Sequence, residues 1–206
     1  MNAAIALLSI VLCWRSLTGY AKPRAIVHIG PPKTASTAIE SIMKRPQSYV
    51  SMRAQNTYWP DYKGRVVDES EVVDFAKALS HDKDSNSIAQ MGLFLNESLR
   101  LGHDVIFSSE NLVHAPPHEI QQLKQMLQGF DVTVVAVYRE SISHLISWYK
   151  FSNRWMDGQT LRFSKYLLQS MDGWSYEGFL KLCEDWQVLG RLVIVDYYGS
   201  IAAGKY

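Results

Sequence analysis

Apolar positions along the chain switch repeatedly between strand and helix spacing, and the switching predicts a layered fold. Ala25 to Ile29 is a short run rich in β-branched residues, cut off by Gly30-Pro31-Pro32, and reads as a strand. Ala38, Ile39, Ile42 and Met43 then recur at helical spacing until Pro46 stops them. Ser48 to Met52 is a short strand candidate, and Tyr58-Trp-Pro-Asp-Tyr-Lys-Gly64 has the turn-rich, aromatic character of a loop over a site. Val72, Val73, Ala76 and Leu79 mark one amphipathic helix. Ile88, Met91, Leu95 and Leu99 mark a second, after a polar break from His81 to Ser87. Asp104 to Glu110 predicts a buried strand, Ile120, Leu123 and Leu127 a helix closed by Gly129, and Asp131 to Tyr138 a strongly β-branched strand. The next helix has Ile142, Leu145, Ile146 and Tyr149 on its apolar face, Tyr176 to Trp186 forms another, and Leu189 to Gly199 supplies a last buried strand. Strands alternating with helices in this way predict a three-layer α/β fold around a central, mainly parallel sheet of about five strands.

Composition narrows the partners. The chain has 206 residues, enough for one domain with or without a leader. Its 21 basic and 20 acidic residues give a net charge of +1, so nothing global favours nucleic acid or a membrane surface, and any anion site must be local. Ala3 to Trp14 is an apolar run short for a membrane span, ended by Arg15 and followed by the small residues of Gly19-Tyr-Ala21. Residues 1–21 therefore predict a signal peptide or a short anchor, with a buried helix of the fold as the other reading, and residues 22–206 a single domain. A leader would send the chain into the secretory pathway, to the Golgi lumen or outside the cell, with membrane contact only if the segment stays as an anchor. Its removal would take Cys13 and leave Cys183 alone. Asn96-Glu-Ser98 is a glycosylation sequon set within a helical pattern.

Candidate chemistry gathers at strand ends. Gly30-Pro-Pro-Lys-Thr-Ala-Ser-Thr37 joins a strand to a helix, so Thr34 to Thr37 fall at a helix N-terminus, where free N–H groups and the helix dipole favour an anion. Lys33 adds a full charge and Ser36 and Thr37 add hydroxyl donors, a P-loop-like arrangement able to hold a phosphate. A capped βα turn with a solvated lysine is the plainer reading. Glu110, at the end of its strand, is a candidate general base, or else caps a turn or pairs with a cation; His114, four residues on, is the rival base. Arg139 ends another strand and Ser147 lies eight residues further, a guanidinium and a hydroxyl that could grip a second phosphate; Arg139 could instead pair with Glu140 or Glu110. Phe151 to Tyr176, with Trp155, Phe163, Tyr166 and Trp174, suits a lid or acceptor platform, although covering the core is the commoner duty of aromatic residues.

On these residues the chain resembles the sulfotransferases that use 3′-phosphoadenosine 5′-phosphosulfate. Gly30-Pro-Pro-Lys-Thr-Ala-Ser-Thr37 is similar to that family's loop for the 5′-phosphosulfate. Val137-Tyr-Arg-Glu-Ser-Ile-Ser-His-Leu-Ile-Ser-Trp-Tyr149 is similar to its 3′-phosphate motif, with the arginine and serine at the family's spacing. The resemblance implies that Lys33 stabilises the bridging oxygen as sulfate leaves, that Thr34, Ser36 and Thr37 hold the 5′-phosphate, and that Arg139 and Ser147 hold the 3′-phosphate. Ala35, in the same nucleotide-binding loop, stands where many relatives carry glycine. Glu110 corresponds to the base of the carbohydrate-modifying branch, which implies a glycan acceptor; in the cytosolic branch a histidine takes that role. Neither a metal nor a nucleic-acid partner is implied. Relatives usually continue past the last strand with a basic, glycine-containing loop over the nucleotide, so the expectation is a domain incomplete at its C-terminus. Two other classes stay open: a nucleotide kinase or related phosphotransferase, although the loop lacks the second glycine of Gly-x-x-x-x-Gly-Lys-Ser/Thr, and a non-catalytic binding module on a shortened sulfotransferase fold.

Overall fold

The computed structural model describes residues 22–30, 57–58, 85–152, 162, 163, 165 and 175–197. Five strands, β1 (Arg24–Ile29), β2 (Thr57–Tyr58), β3 (Asp104–Ser108), β4 (Asp131–Tyr138) and β5 (Arg191–Asp196), form one sheet in the order β2-β3-β1-β4-β5. Every pairing is parallel. Among the described residues four longer helices accompany them: α1 (Ser85–Leu101), α2 (Pro117–Met126), α3 (Ser141–Ser152) and α4 (Tyr176–Trp186).

Burial follows from strand alternation. Ala25, Val27 and Ile29 of β1 share a face with Val105 and Phe107 of β3 and with Val132, Val134 and Ala136 of β4. Onto that face pack Met91 and Leu95 of α1, Ile120 and Leu123 of α2, and Cys183 and Trp186 of α4, in a single apolar cluster. The opposite face of the same strands carries Ile26, His28, Ile106, Ser108, Val135 and Val137, all buried. Strands covered on both faces need apolar residues at every position, which is why β1 and β4 read as continuous runs. The architecture is the expected three-layer α/β fold.

Several boundaries differ from expectation. Tyr58 belongs to a two-residue strand, β2, which pairs with the start of β3, where the sequence suggested a loop. The strand expected at Ser48 to Met52 and the helices expected around Ile39 and Val73 lie outside the described residues, as do residues 1–21. β3 stops at Ser108, and Glu110 opens a 3-10 turn, Glu110–His114. α2 begins at Pro117, earlier than its apolar stripe, since proline's fixed φ and missing N–H suit the first turn of a helix. β5 is not a buried strand: Arg191, Ile194 and Asp196 are exposed, because it is the last strand of the sheet order, paired among the described residues with β4 alone. Among the described residues no helix is long and apolar enough to cross a membrane.

At the amino end of the sheet β1 is pinned to β3. The Arg24 backbone N–H donates to Asp104 Oδ1 at 2.7 Å, while its Nε and Nη2 donate to Oδ2 at 3.0 and 2.7 Å. At the start of β5, Gly190 lies so close to β4 that any Cβ there would press into the carbonyl of Val132.

Candidate functional site

Sheet order places the site. β1 leads toward β2 at one edge and β4 toward β5 at the other, so the strand order reverses between these two adjacent strands, the position at which open α/β sheets bind ligands beyond the carboxyl ends. Register pairs Ile29 with Ala136, which brings the residues that follow, Gly30 after β1 and Arg139 after β4, to the same edge. Gly30 is buried. Lys33, Thr34, Ala35, Ser36 and Thr37 lie outside the described residues.

Arg139 is half-buried, and its guanidinium carbon lies 5.1 Å from the centroid of the Tyr197 ring, a cation–π contact that helps to fix the side chain. Beside it a cavity of about 350 Å³ opens between the end of β4, the 3-10 turn and the first turns of α3 and α4. Arg139, His114 and His144 supply its basic lining, and Tyr138, Phe179 and Leu182 an apolar wall. Tyr138 is held edge-on to Tyr176, with centroids 5.9 Å apart, and tilted against Phe179 at 5.0 Å. The N-terminus of α4 is shaped by Ser175, whose hydroxyl accepts from the Gly178 N–H at 3.1 Å.

Glu140 spends its carboxylate on its own helix. Oε1 accepts from the Ile142 N–H and Oε2 from the Ser143 N–H, both at 2.8 Å, so the first donors of α3 are already occupied. The hydrogen bonds from Ser143 and Ile142, helped by the Arg139 charge, hold this carboxyl below the usual carboxylate range. An anion meeting Arg139 must therefore use donors other than these two N–H groups.

The two base candidates stand at opposite ends of one turn. Glu110 is half-buried at its start, where the Ser109 hydroxyl caps the turn by accepting from the Asn111 N–H at 3.2 Å. His114 is exposed at its end and lines the cavity with Arg139. Glu110 is outside that lining, and so is Ser147, half-buried six residues into α3. Among the described residues no group of three or more His, Cys, Asp or Glu side chains could hold a metal ion.

Sequence reasoning missed three features. One is the apolar wall of Tyr138, Phe179 and Leu182, and another is His144, buried on α3. The third is His28, which is fully buried on β1 with Nδ1 at 2.8 Å from the Ser108 Oγ of β3. Burial pulls its pKa down from 6.5 to about 4, so the imidazole is neutral at ordinary pH. A polar side chain interrupting an apolar, β-branched run was the available signal.

No family model matches the chain. No curated protein matches it either. Among solved structures it is similar to a sulfotransferase from Alicyclobacillus acidocaldarius, with a TM-score of 0.50 at 15% identity, over 90% of this chain and 77% of that one. A structure from the PezAT chromosomal toxin–antitoxin system of Streptococcus pneumoniae matches 95% of this chain and 79% of its own at 13% identity, with a TM-score of 0.38, too low to bear on the fold. The chain thus shares its fold with a sulfotransferase.

Proposed function

We propose that this chain is a sulfotransferase that moves the sulfuryl group of 3′-phosphoadenosine 5′-phosphosulfate to a hydroxyl or amine of an acceptor, a carbohydrate in the secretory pathway. The observation that carries the reading is the pairing of β1 with β4, which brings Gly30, the opening of the Lys33 loop, and Arg139 to one edge of the sheet. A nucleotide with phosphates on both its 3′ and 5′ positions needs two anion sites at such an edge. The neighbouring cavity, about 350 Å³, is in the size range of ligand pockets and carries basic and apolar walls.

In this reading Lys33 and the helix N-terminus that the sequence predicts at Thr34 to Thr37 stabilise the phosphate oxygen released as the sulfur–oxygen bond breaks. The acceptor heteroatom forms its new bond to sulfur in line, and its proton passes to Glu110. His114 is the alternative destination. Arg139, with Ser147, takes the 3′-phosphate through the guanidinium fork.

The test is thermal unfolding with 3′-phosphoadenosine 5′-phosphate, with ATP and magnesium as control, followed by sulfuryl transfer to a panel of glycans. The bisphosphate should raise the melting temperature and ATP with magnesium should not. Arg139→Ala should weaken the bisphosphate by roughly 10- to 100-fold, the worth of a charged hydrogen bond. Lys33→Ala should abolish transfer, and whichever of Glu110→Gln and His114→Asn lowers kcat identifies the base. A shift with ATP and magnesium alone, or one untouched by Arg139→Ala, would sink the proposal.

A further inference from the structure

The seam between β1 and β3 carries polar contacts at both ends. Its amino end is the Arg24–Asp104 ion pair. Its carboxyl end is neutral: His28 and Ser108 stand opposite each other in register, with Nδ1 2.8 Å from Oγ. Both side chains are buried, at 2% and 1% exposure, and among the described residues the buried His28 Nε2 has no hydrogen-bond partner. Stability alone does not call for such a pair. A buried polar atom left unsatisfied costs about 1–3 kcal/mol, and the same face is otherwise built from Ile26, Ile106, Val135 and Val137, so two aliphatic side chains would suit it better.

The position of the pair along each strand gives it a use. His28 lies two residues before Gly30, which opens the loop bearing Lys33. Ser108 lies two residues before Glu110, with Ser109 capping the turn between them. One hydrogen bond therefore ties together the last stretch of backbone ahead of each of the two groups assigned to chemistry. We propose that the His28–Ser108 contact is a latch that fixes Glu110 relative to the carboxyl end of β1, making His28 a positioning residue for proton removal; this rests on the sulfotransferase reading and on Glu110 as its base. Either direction of the hydrogen bond serves, Ser108 donating to Nδ1 or the Nδ1–H donating to Oγ. Because burial keeps the ring neutral, the latch adds no charge beneath an anion site.

Three variants separate latch from filler. In His28→Asn the amide places a polar atom where Nδ1 stands, in His28→Gln the polar atom moves to the place of Nε2, and Ser108→Ala removes the other half of the contact. Each is compared with the wild-type chain in sulfuryl-transfer kinetics and in amide hydrogen exchange at Glu110 to Leu112. The Gln and Ala variants should lose roughly 10- to 100-fold in kcat, the usual cost of misplacing a catalytic group by about 1 Å, with the nucleotide KM changed less than about twofold. They should also exchange faster at Glu110 to Leu112, and His28→Asn should restore both properties. The latch is overturned if Ser108→Ala and His28→Gln keep full kcat, if Asn is as damaged as Gln, or if the loss lies in KM alone. Should the wild-type chain transfer no sulfuryl group and gain no stability from the bisphosphate, the sulfotransferase reading fails by itself. Exchange then decides the latch: acceleration in Gln and Ala with rescue by Asn upholds it, and equal rates in all four proteins refute it.

Discussion

Acidification should destabilise the fold through His28 by an amount the structure sets. The ring is fully buried, and burial lowers its pKa from the ordinary 6.5 to about 4. An unfolded chain takes up a proton on this imidazole as pH falls through 6.5, while the folded chain refuses it until about 4. The sign follows: the folded state is at its full stability above the unfolded value and loses stability as pH drops toward the folded one. At about 1.4 kcal/mol per pH unit, a gap of roughly 2.5 units costs about 3 kcal/mol on reaching pH 4. Carboxylates titrate over the lower part of the same range, so the assay must be a difference. Urea unfolding of the wild-type chain and of His28→Asn, at steps between pH 7 and pH 4, should show the wild type losing about 3 kcal/mol more than the variant. Parallel stability curves for the two proteins would refute the burial of a neutral histidine at this position.

Three further outcomes follow from particular contacts. Glu140→Ala should cost about 1 kcal/mol at pH 7 by uncapping α3; since the folded pKa of Glu140 is depressed, the gap should close in melts taken below the carboxylate range, and a pH-independent gap would contradict the cap. Gly190→Ala should cost about 1–3 kcal/mol because its Cβ meets the Val132 carbonyl, and an unchanged melting temperature would show that the strands can part there freely. Asp104→Ala should cost about 1–3 kcal/mol by removing the carboxylate that accepts three hydrogen bonds from Arg24, with the nucleotide-induced shift intact because the pair sits at the far end of the sheet; loss of that shift would mean the two ends are coupled.

What could be read in the sequence depended on how much of each signal was local. β1, β4 and α3 were legible because doubly buried strands are continuously apolar and α3 repeats Ile142, Leu145, Ile146 and Tyr149 at helical spacing. β2 was not, since two residues in an aromatic, turn-rich stretch have no period to detect. Leu192 to Val195 is as apolar as a central strand, and only the sheet order reveals that β5 is an edge. Arg139 was found as a strand-end cation, but that β4 lies directly beside β1 is a property of the topology. The apolar wall has the same origin: Phe179 and Leu182 form an ordinary amphipathic stripe on α4 until the fold brings them against Tyr138. His28 was hidden because one histidine in a strand announces no role, and its partner is 80 residues away.

The two ends of the β1–β3 seam divide the work in a way that charge explains. At the amino end the Asp104 carboxylate accepts two hydrogen bonds from the Arg24 guanidinium and one from its backbone N–H, at 2.7–3.0 Å and far from the candidate site, so their field costs that site nothing. At the carboxyl end the same task falls to an uncharged imidazole and a hydroxyl. A fixed anion there would repel a nucleotide's phosphates, and a fixed cation would hold the product phosphate as tightly as the transition state, raising affinity without raising turnover. On the proposed function, a neutral link would restrain both strand ends and leave the field to Lys33 and Arg139. Introducing a single fixed charge, as in His28→Lys or Ser108→Asp, should therefore change the affinity for 3′-phosphoadenosine 5′-phosphate in a binding titration, whereas the uncharged His28→Asn should leave it as it is; unchanged affinity in both charged variants would refute the argument.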